Sequence, residues 1–321
     1  MNFKKPKFWD RSSISFWSIL LFPFSLVFLL TSLIIKIFKT QKKFSIPIIC
    51  IGNIYVGGTG KTPLTSEIFK ILKSSGKNPG FVKKSYSYLS DEITMLQKIG
   101  KVFYDKNRTH AIRKLILEGC DVAVLDDGFQ DFTVKKDFSI LCFNSKQLIG
   151  NGLVIPSGPL RESFNSILRT NCIVINGDKN LEFENKIKKT FKKEIKIFYS
   201  KYKIKNMENL QNKEIIAFAG IGNPSNFFDL LKENNLNLKK TYSFPDHHNY
   251  SDGDYSYLVA DKFIFTDFKN KKVNEDDVLI ITTEKDYSRI KDKMKQSFDY
   301  VEVDLEIENK NEFINFIKSK L

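Results

Sequence analysis

The clearest chemical signal in the chain is a run of six residues, Gly57-Gly58-Thr59-Gly60-Lys61-Thr62. Glycines let backbone N–H groups turn inward around phosphate oxygens. A lysine at the mouth of a helix reaches β- and γ-phosphates, and the hydroxyl after it is placed to ligate Mg²⁺. The strict form of such a loop has glycine where this chain has Tyr55, so the loop is a variant. A triphosphate site also needs a carboxylate at the end of a neighbouring strand, because open α/β sheets bind ligands there. Asp126-Asp127-Gly128, following an apolar run at 122–125, meets that need. Asp126 is placed to hold Mg²⁺ directly or through water, and Asp127 to share the metal or orient a neighbour.

These residues require particular elements around them. Residues 46–52 are a continuous apolar run of strand length, and Leu64, Ile68, Ile71 and Leu72 recur at helical spacing after the loop. Further apolar runs at 80–82, 101–104, 122–125, 138–143 and 172–176 alternate with helix-period segments, the pattern of parallel strands joined by crossover helices. The Lys- and Asn-rich stretch 201–213 reads as a linker. Beyond it a strand leads into Gly220-Ile221-Gly222-Asn223-Pro224, which lacks the lysine and third glycine of a phosphate site and reads as a tight connection. Residues 278–282 form another strand with Thr283-Glu284-Lys285-Asp286 at its end. The expected fold class is α/β: a P-loop NTPase-like core with a mostly parallel sheet (44–205), a smaller C-terminal α/β domain (206–321) and an N-terminal membrane-anchoring helix within 1–43.

The anchor follows from residues 12–35, which carry no ionisable side chain. At about 1.5 Å per residue the run is long enough for a hydrocarbon core of about 30 Å. Lysines flank both ends, so charge does not set its orientation. Pro23, Trp9 and Trp17 leave open a helix lying in the interface instead of spanning. A net charge of +14 suits a phosphorylated substrate or an anionic surface. No aromatic-and-basic motif for nucleic acid accompanies it. Cys50, Cys120, Cys142 and Cys172 are too far apart for a zinc site or disulfide framework and read as reduced core residues.

Six segments, in order, resemble the tetraacyldisaccharide 4'-kinase family of lipid A biosynthesis: residues 52–63, Asp91-Glu92, residues 126–130, residues 156–162, residues 244–248 and residues 283–286. The resemblance implies phosphoryl transfer from ATP, with Mg²⁺, to the 4'-hydroxyl of an acylated glucosamine disaccharide 1-phosphate, giving lipid IVA. It implies a catalytic body on the cytoplasmic face of the inner membrane, in contact with its lipids, and no nucleic acid. Matched residue by residue, the resemblance implies Asp91 as general base, paired with His247, and Lys61 and Arg161 as further catalytic residues. Gly57, Gly58, Thr59, Gly60, Lys61, Thr62, Pro63, Asp127 and Gln130 would bind the nucleotide, Glu92, Arg108, Arg161 and Glu162 the substrate, and Thr62, Asp126 and Asp127 the metal. These positions fall in both domains, so the reading expects an active site drawing on both, with closure on ATP. Two departures stand out: Asp131 where the family usually has histidine, and Lys84-Ser85-Tyr86 where it usually has Arg-Gly-Tyr. A membrane-associated P-loop NTPase that couples hydrolysis to targeting or assembly is the alternative function.

Overall fold

The computed structural model describes residues 5–85, 90–267 and 277–320; the side chains of Ser90, Asp91 and residues 264–267 lie outside the described ones. Internal contacts group Lys5–Lys201 with Leu305–Leu321 as one compact unit and Tyr202–Asp304 as another.

The larger unit contains, in chain order, α1 (Phe16–Phe38), β1 (Ile48–Gly52), α2 (Lys61–Ser74), β2 (Pro79–Lys84), α3 (Ser90–Gln97), β3 (Val102–Asp105), α4 (Arg108–Leu117), β4 (Val122–Asp126), β5 (Phe138–Asn144), β6 (Cys172–Asn176), α5 (Leu181–Thr190) and β7 (Lys196–Ile204), which runs on past the unit boundary. The smaller unit contains α6 (Met207–Leu210), β8 (Glu214–Ala219), α7 (Pro224–Glu233), β9 (Asn237–Ser243), α8 (Asp252–Asp267), β10 (Val278–Thr283), α9 (Glu284–Tyr287), α10 (Asp292–Lys295) and β11 (Asp299–Val301). The chain then returns through β12 (Val303–Ile307) to α11 (Lys310–Lys318) in the larger unit.

β1 and β4 read Ile-Ile-Cys-Ile-Gly and Val-Ala-Val-Leu-Asp and are buried at every position. Strands covered on both faces belong at the centre of a parallel sheet. The eight-stranded order is β12-β7-β6-β5-β1-β4-β2-β3, with β1 parallel to both β4 and β5. From β1 the chain crosses to β2 on one side, and from β4 to β5 on the other, so the carboxyl ends of β1 and β4 flank the switch point where such sheets bind ligands. The register pairs Ile51 with Asp126, which sets the acidic strand end beside the start of the glycine loop. In the smaller unit the order is β11-β10-β8-β9. Ile215, Ala217 and Ala219 pack on one face with Phe227 and Leu231, whereas Ile216 and Phe218 pack on the other with Tyr250 and Leu258, as period-two alternation requires.

The structure alters three expectations. The stretch expected as a linker, 201–213, is the end of β7 and the single turn of α6. The segment 305–321, expected in the smaller domain, belongs to the larger unit, where α11 buries Phe313 and Ile317. The ring of Phe198 meets Phe313 at 4.9 Å, and Lys310 pairs with Glu67 at 2.7 Å. Trp9, whose amphipathic ring left open a place in the interface, is buried instead, and its indole N–H donates to the Pro156 carbonyl at 3.0 Å.

Helix α1 turns polar residues inward. Ser25 Oγ donates to the Val154 carbonyl at 3.0 Å and accepts from the Ser157 N–H at 3.0 Å, and Asn151 donates to Ser18 Oγ at 3.1 Å. Phe16, Trp17, Phe24 and Phe38 face outward. The four cysteines are buried and unpaired.

Candidate active site

The glycine loop leaves β1 at Gly52, which has no room for a side chain: a Cβ there would lie 2.5 Å from Cβ of Phe129. Asn53 is fully buried, and its amide donates to the Tyr55 carbonyl at 2.7 Å, Thr59 Oγ1 at 3.0 Å and the Gly57 carbonyl at 3.3 Å. Gly60 takes a left-handed conformation, φ 87°, as it opens α2 at Lys61. Tyr55, the departure from the strict loop, is buried. Its hydroxyl donates to Asp10 and accepts from Lys5 at 3.1 Å. Val56 N–H donates to the Pro159 carbonyl at 2.8 Å, and Arg161 N–H donates to the Ile54 carbonyl at 2.7 Å. The first half of the loop is therefore zipped to the segment that delivers Arg161. A tyrosine serves there because the position is a brace, away from the phosphate cradle.

Asp126 sits at the end of β4 with almost no exposure. Thr65 Oγ1 donates to its Oδ1 at 3.2 Å and Thr62 Oγ1 to its Oδ2 at 3.3 Å, while the Lys83 ammonium also contacts Oδ2. Asp127 follows with φ 52° and turns towards Lys61, at 3.8 Å, and Arg161, at 3.2 Å. Burial opposes its charged form, but Lys61 and Arg161 outweigh burial and hold its carboxyl below the usual carboxylate range. Gln130 donates to the Asn53 carbonyl at 2.7 Å and ties the aspartate turn to the loop.

The hard oxygens of Thr62 and Asp126, side by side at the loop, suit Mg²⁺, which takes one or two protein oxygens and completes its shell with phosphate and water.

Arg108 and Glu162, expected to bind substrate, both have partners within the chain. Arg108 is buried beneath the aspartate turn. It donates to the Asp127 carbonyl at 2.7 Å and pairs with Asp131 at 3.1 Å, so it supports the turn. Asp131 is thus a structural counter-ion in this chain. Burial raises its pKa, yet hydrogen bonds from Thr133 and the Arg108 charge bring it below the usual range. Glu162 accepts from Arg169, whose guanidinium lies 4.3 Å from the Phe129 ring centre and 4.9 Å from that of Phe132.

Asp91 stands in the first turn of α3, and its side chain lies outside the described residues, as does Tyr86. Its neighbour Glu92 pairs with Lys83 at 2.6 Å. Sequence reasoning missed Lys83 and Thr65, whose only signal is a position at a strand end and one turn into the helix after the loop. In the smaller unit His247 has φ 58°, and its backbone N–H donates to the Gly220 carbonyl at 3.1 Å. Its ring nitrogens lie 3.4 Å from Arg289 and 3.5 Å from Lys285. Asp286 organises that corner, accepting from the Gly220 N–H at 3.0 Å and the Thr283 hydroxyl at 2.7 Å.

Residues 17–321 match the model of the family described as tetraacyldisaccharide-1-P 4'-kinase, LpxK. The chain belongs to this family. A tetraacyldisaccharide 4'-kinase of Pelagibacter ubique is 39% identical over 98% of this chain and 97% of its own length. One of Gluconobacter oxydans is 32% identical over 81% and 84%. The crystal structure of LpxK from Aquifex aeolicus in complex with ATP superposes with a TM-score of 0.68 at 23% identity, covering 94% of this chain and 99% of that one, which establishes a shared fold. The α/β class and the P-loop core expected from the sequence are those of this 4'-kinase family.

The Arg108–Asp131 pair yields a pH prediction. Asp131 has a depressed pKa in the folded state, so its contribution to stability is present above the unfolded carboxylate value near 4 and is lost as pH falls below it. Asp131→Asn should lower the melting temperature at pH 7, and the gap to wild type should close towards pH 3. A gap independent of pH would remove the ion pair from the account.

Proposed function

We propose that this chain transfers the γ-phosphoryl group of ATP to the 4'-hydroxyl of an acylated glucosamine disaccharide 1-phosphate, giving lipid IVA. The observation that carries the reading is the juxtaposition of the glycine loop with Asp126 at the end of the adjacent strand, in a chain of the 4'-kinase family. Loop N–H groups and Lys61 grip the phosphates and offset charge on the transferred group, with Arg161 beside them. Thr62 and Asp126 would hold Mg²⁺, which would supply charge neutralisation. Asp91 accepts the proton of the sugar hydroxyl as that oxygen bonds to phosphorus and the bond to the departing ADP breaks. His247 takes a catalytic role in this reading by its match to the family's sequence pattern. Gln130 and Asp127 hold the loop and the aspartate turn in place around the nucleotide.

The test is incubation of the purified full-length chain with labelled ATP and the acylated disaccharide 1-phosphate in detergent. Labelled lipid should form. Lys61→Ala should abolish it, and Asp91→Asn should slow it by about 10²–10⁴-fold while nucleotide binding persists. ATP hydrolysis without labelled lipid would instead identify an NTPase.

We place the chain at the inner membrane, on its cytoplasmic face, where ATP is found. Helix α1 is long and apolar enough to span, with mean hydropathy 2.5. Its serine face, however, is docked on residues 151–157, and hydrocarbon does not tolerate irregular backbone exposed to lipid. Both facts support a helix lying in the interface with its outward apolar face in the lipid. In flotation with anionic phospholipid vesicles, wild type should float, and Trp17→Ser/Phe24→Ser should stay at the bottom with its melting temperature unchanged. Flotation of that variant would remove α1 as the seat.

A further inference from the structure

Lys83 is the last inward-facing residue of β2, and only 2% of it is exposed. Its neighbour Lys84 is less buried. An ammonium without partners at such a depth would be strongly disfavoured, so its surroundings must compensate it. They do so with two carboxylates from different elements: Glu92 Oε2 of α3 at 2.6 Å, and Oδ2 of Asp126 at the end of β4. Burial alone would make the ammonium easier to deprotonate, but Asp126 and then Glu92 overcome this and keep it charged.

The connectivity of this bridge sets it apart from an ordinary buried ion pair. Asp126 is also the acceptor for Thr62 and Thr65, so it is the fixed point of the phosphate-loop side. Glu92 lies in the first turn of α3, next to Asp91, and α3 also buries Ile93 and Leu96. Cutting the bridge would remove the cation that lies between these two carboxylates, and with it this link between the turn of α3 and β4.

We propose that Lys83 is a positioning residue for phosphoryl transfer, its ammonium fixing Glu92, and with it the first turn of α3, to the Asp126 end of β4. This rests on the kinase reading above, in which that turn carries the carboxylate that activates the acceptor. Loss of Lys83 then affects the chemical step more than nucleotide capture, because a displacement of about an ångström in an acceptor-activating group costs about 10²-fold in rate.

Two measurements on the full-length chain test it. In steady-state kinetics Lys83→Met should lower kcat by about 10²-fold with KM for ATP within about threefold of wild type, and Lys83→Arg should restore at least about tenfold of the loss. A lysine that only stabilises the fold would lower the melting temperature and leave kcat per folded molecule unchanged, which overturns the proposal. The second measurement is a melting-temperature cycle with Glu92→Gln. In the Lys83→Met background, where two carboxylates repel, Glu92→Gln should raise the melting temperature by several degrees, and in wild type it should lower it. Additive shifts overturn the bridge. Should Lys83→Met fail to fold, Lys83→Gln, which keeps a polar head without charge, takes its place in both arms. If wild type transfers no phosphate to the disaccharide, the kinase reading fails and with it the positioning role, while the cycle still reports on the bridge alone.

Discussion

A carboxylate at the end of a fully buried strand needs compensation, and much of the larger unit can be understood as the means of compensating Asp126. The β1–β4 register brings the carboxylate to the mouth of the glycine loop. Two hydroxyls of α2 and one ammonium of β2 then surround it. The proposed metal site rests on the same contacts. Stability and ligand chemistry therefore draw on a single set of groups, and charge-removing changes there affect both.

Around that centre the loop is held by its own backbone and by neighbours that never face the ligand. Asn53 spans the loop from inside, and Tyr55 pins its outer edge to Lys5 and Asp10. The segment at 154–161 threads between the loop and α1, joining the phosphate site to the helix assigned to the membrane. The Asp131 departure belongs to the same pattern: in place of a histidine, a carboxylate neutralises Arg108, which props the Asp126-Asp127 turn from beneath.

How much of this was legible in the sequence depends on the range of the interactions. β1, β4 and the loop were legible because continuous apolar runs and a glycine-lysine-threonine sequence are local signals. The inward face of α1 was not, since Ser18 and Ser25 look like incidental polar residues in an apolar helix until Asn151, Val154 and Ser157 are seen opposite them. The return of 305–321 was hidden for the same reason: Phe198, whose ring meets Phe313, lies more than a hundred positions away in the chain. Arg108 carried the right residue type for anion recognition, but its internal partners, the Asp127 carbonyl and the Asp131 carboxylate, show only in the structure. Lys83 carried no signal beyond a charged residue at the end of a strand.

The central claim is that Thr62 and Asp126 jointly hold the metal that accompanies a nucleotide seated in the loop. Electron paramagnetic resonance of Mn²⁺, bound in place of Mg²⁺ together with a non-hydrolysable ATP analogue, reads this directly through the coupling of the metal to phosphorus. The account predicts a phosphorus-coupled signal in wild type that vanishes in Asp126→Asn and weakens in Thr62→Ala. An unchanged coupling in Asp126→Asn would contradict it.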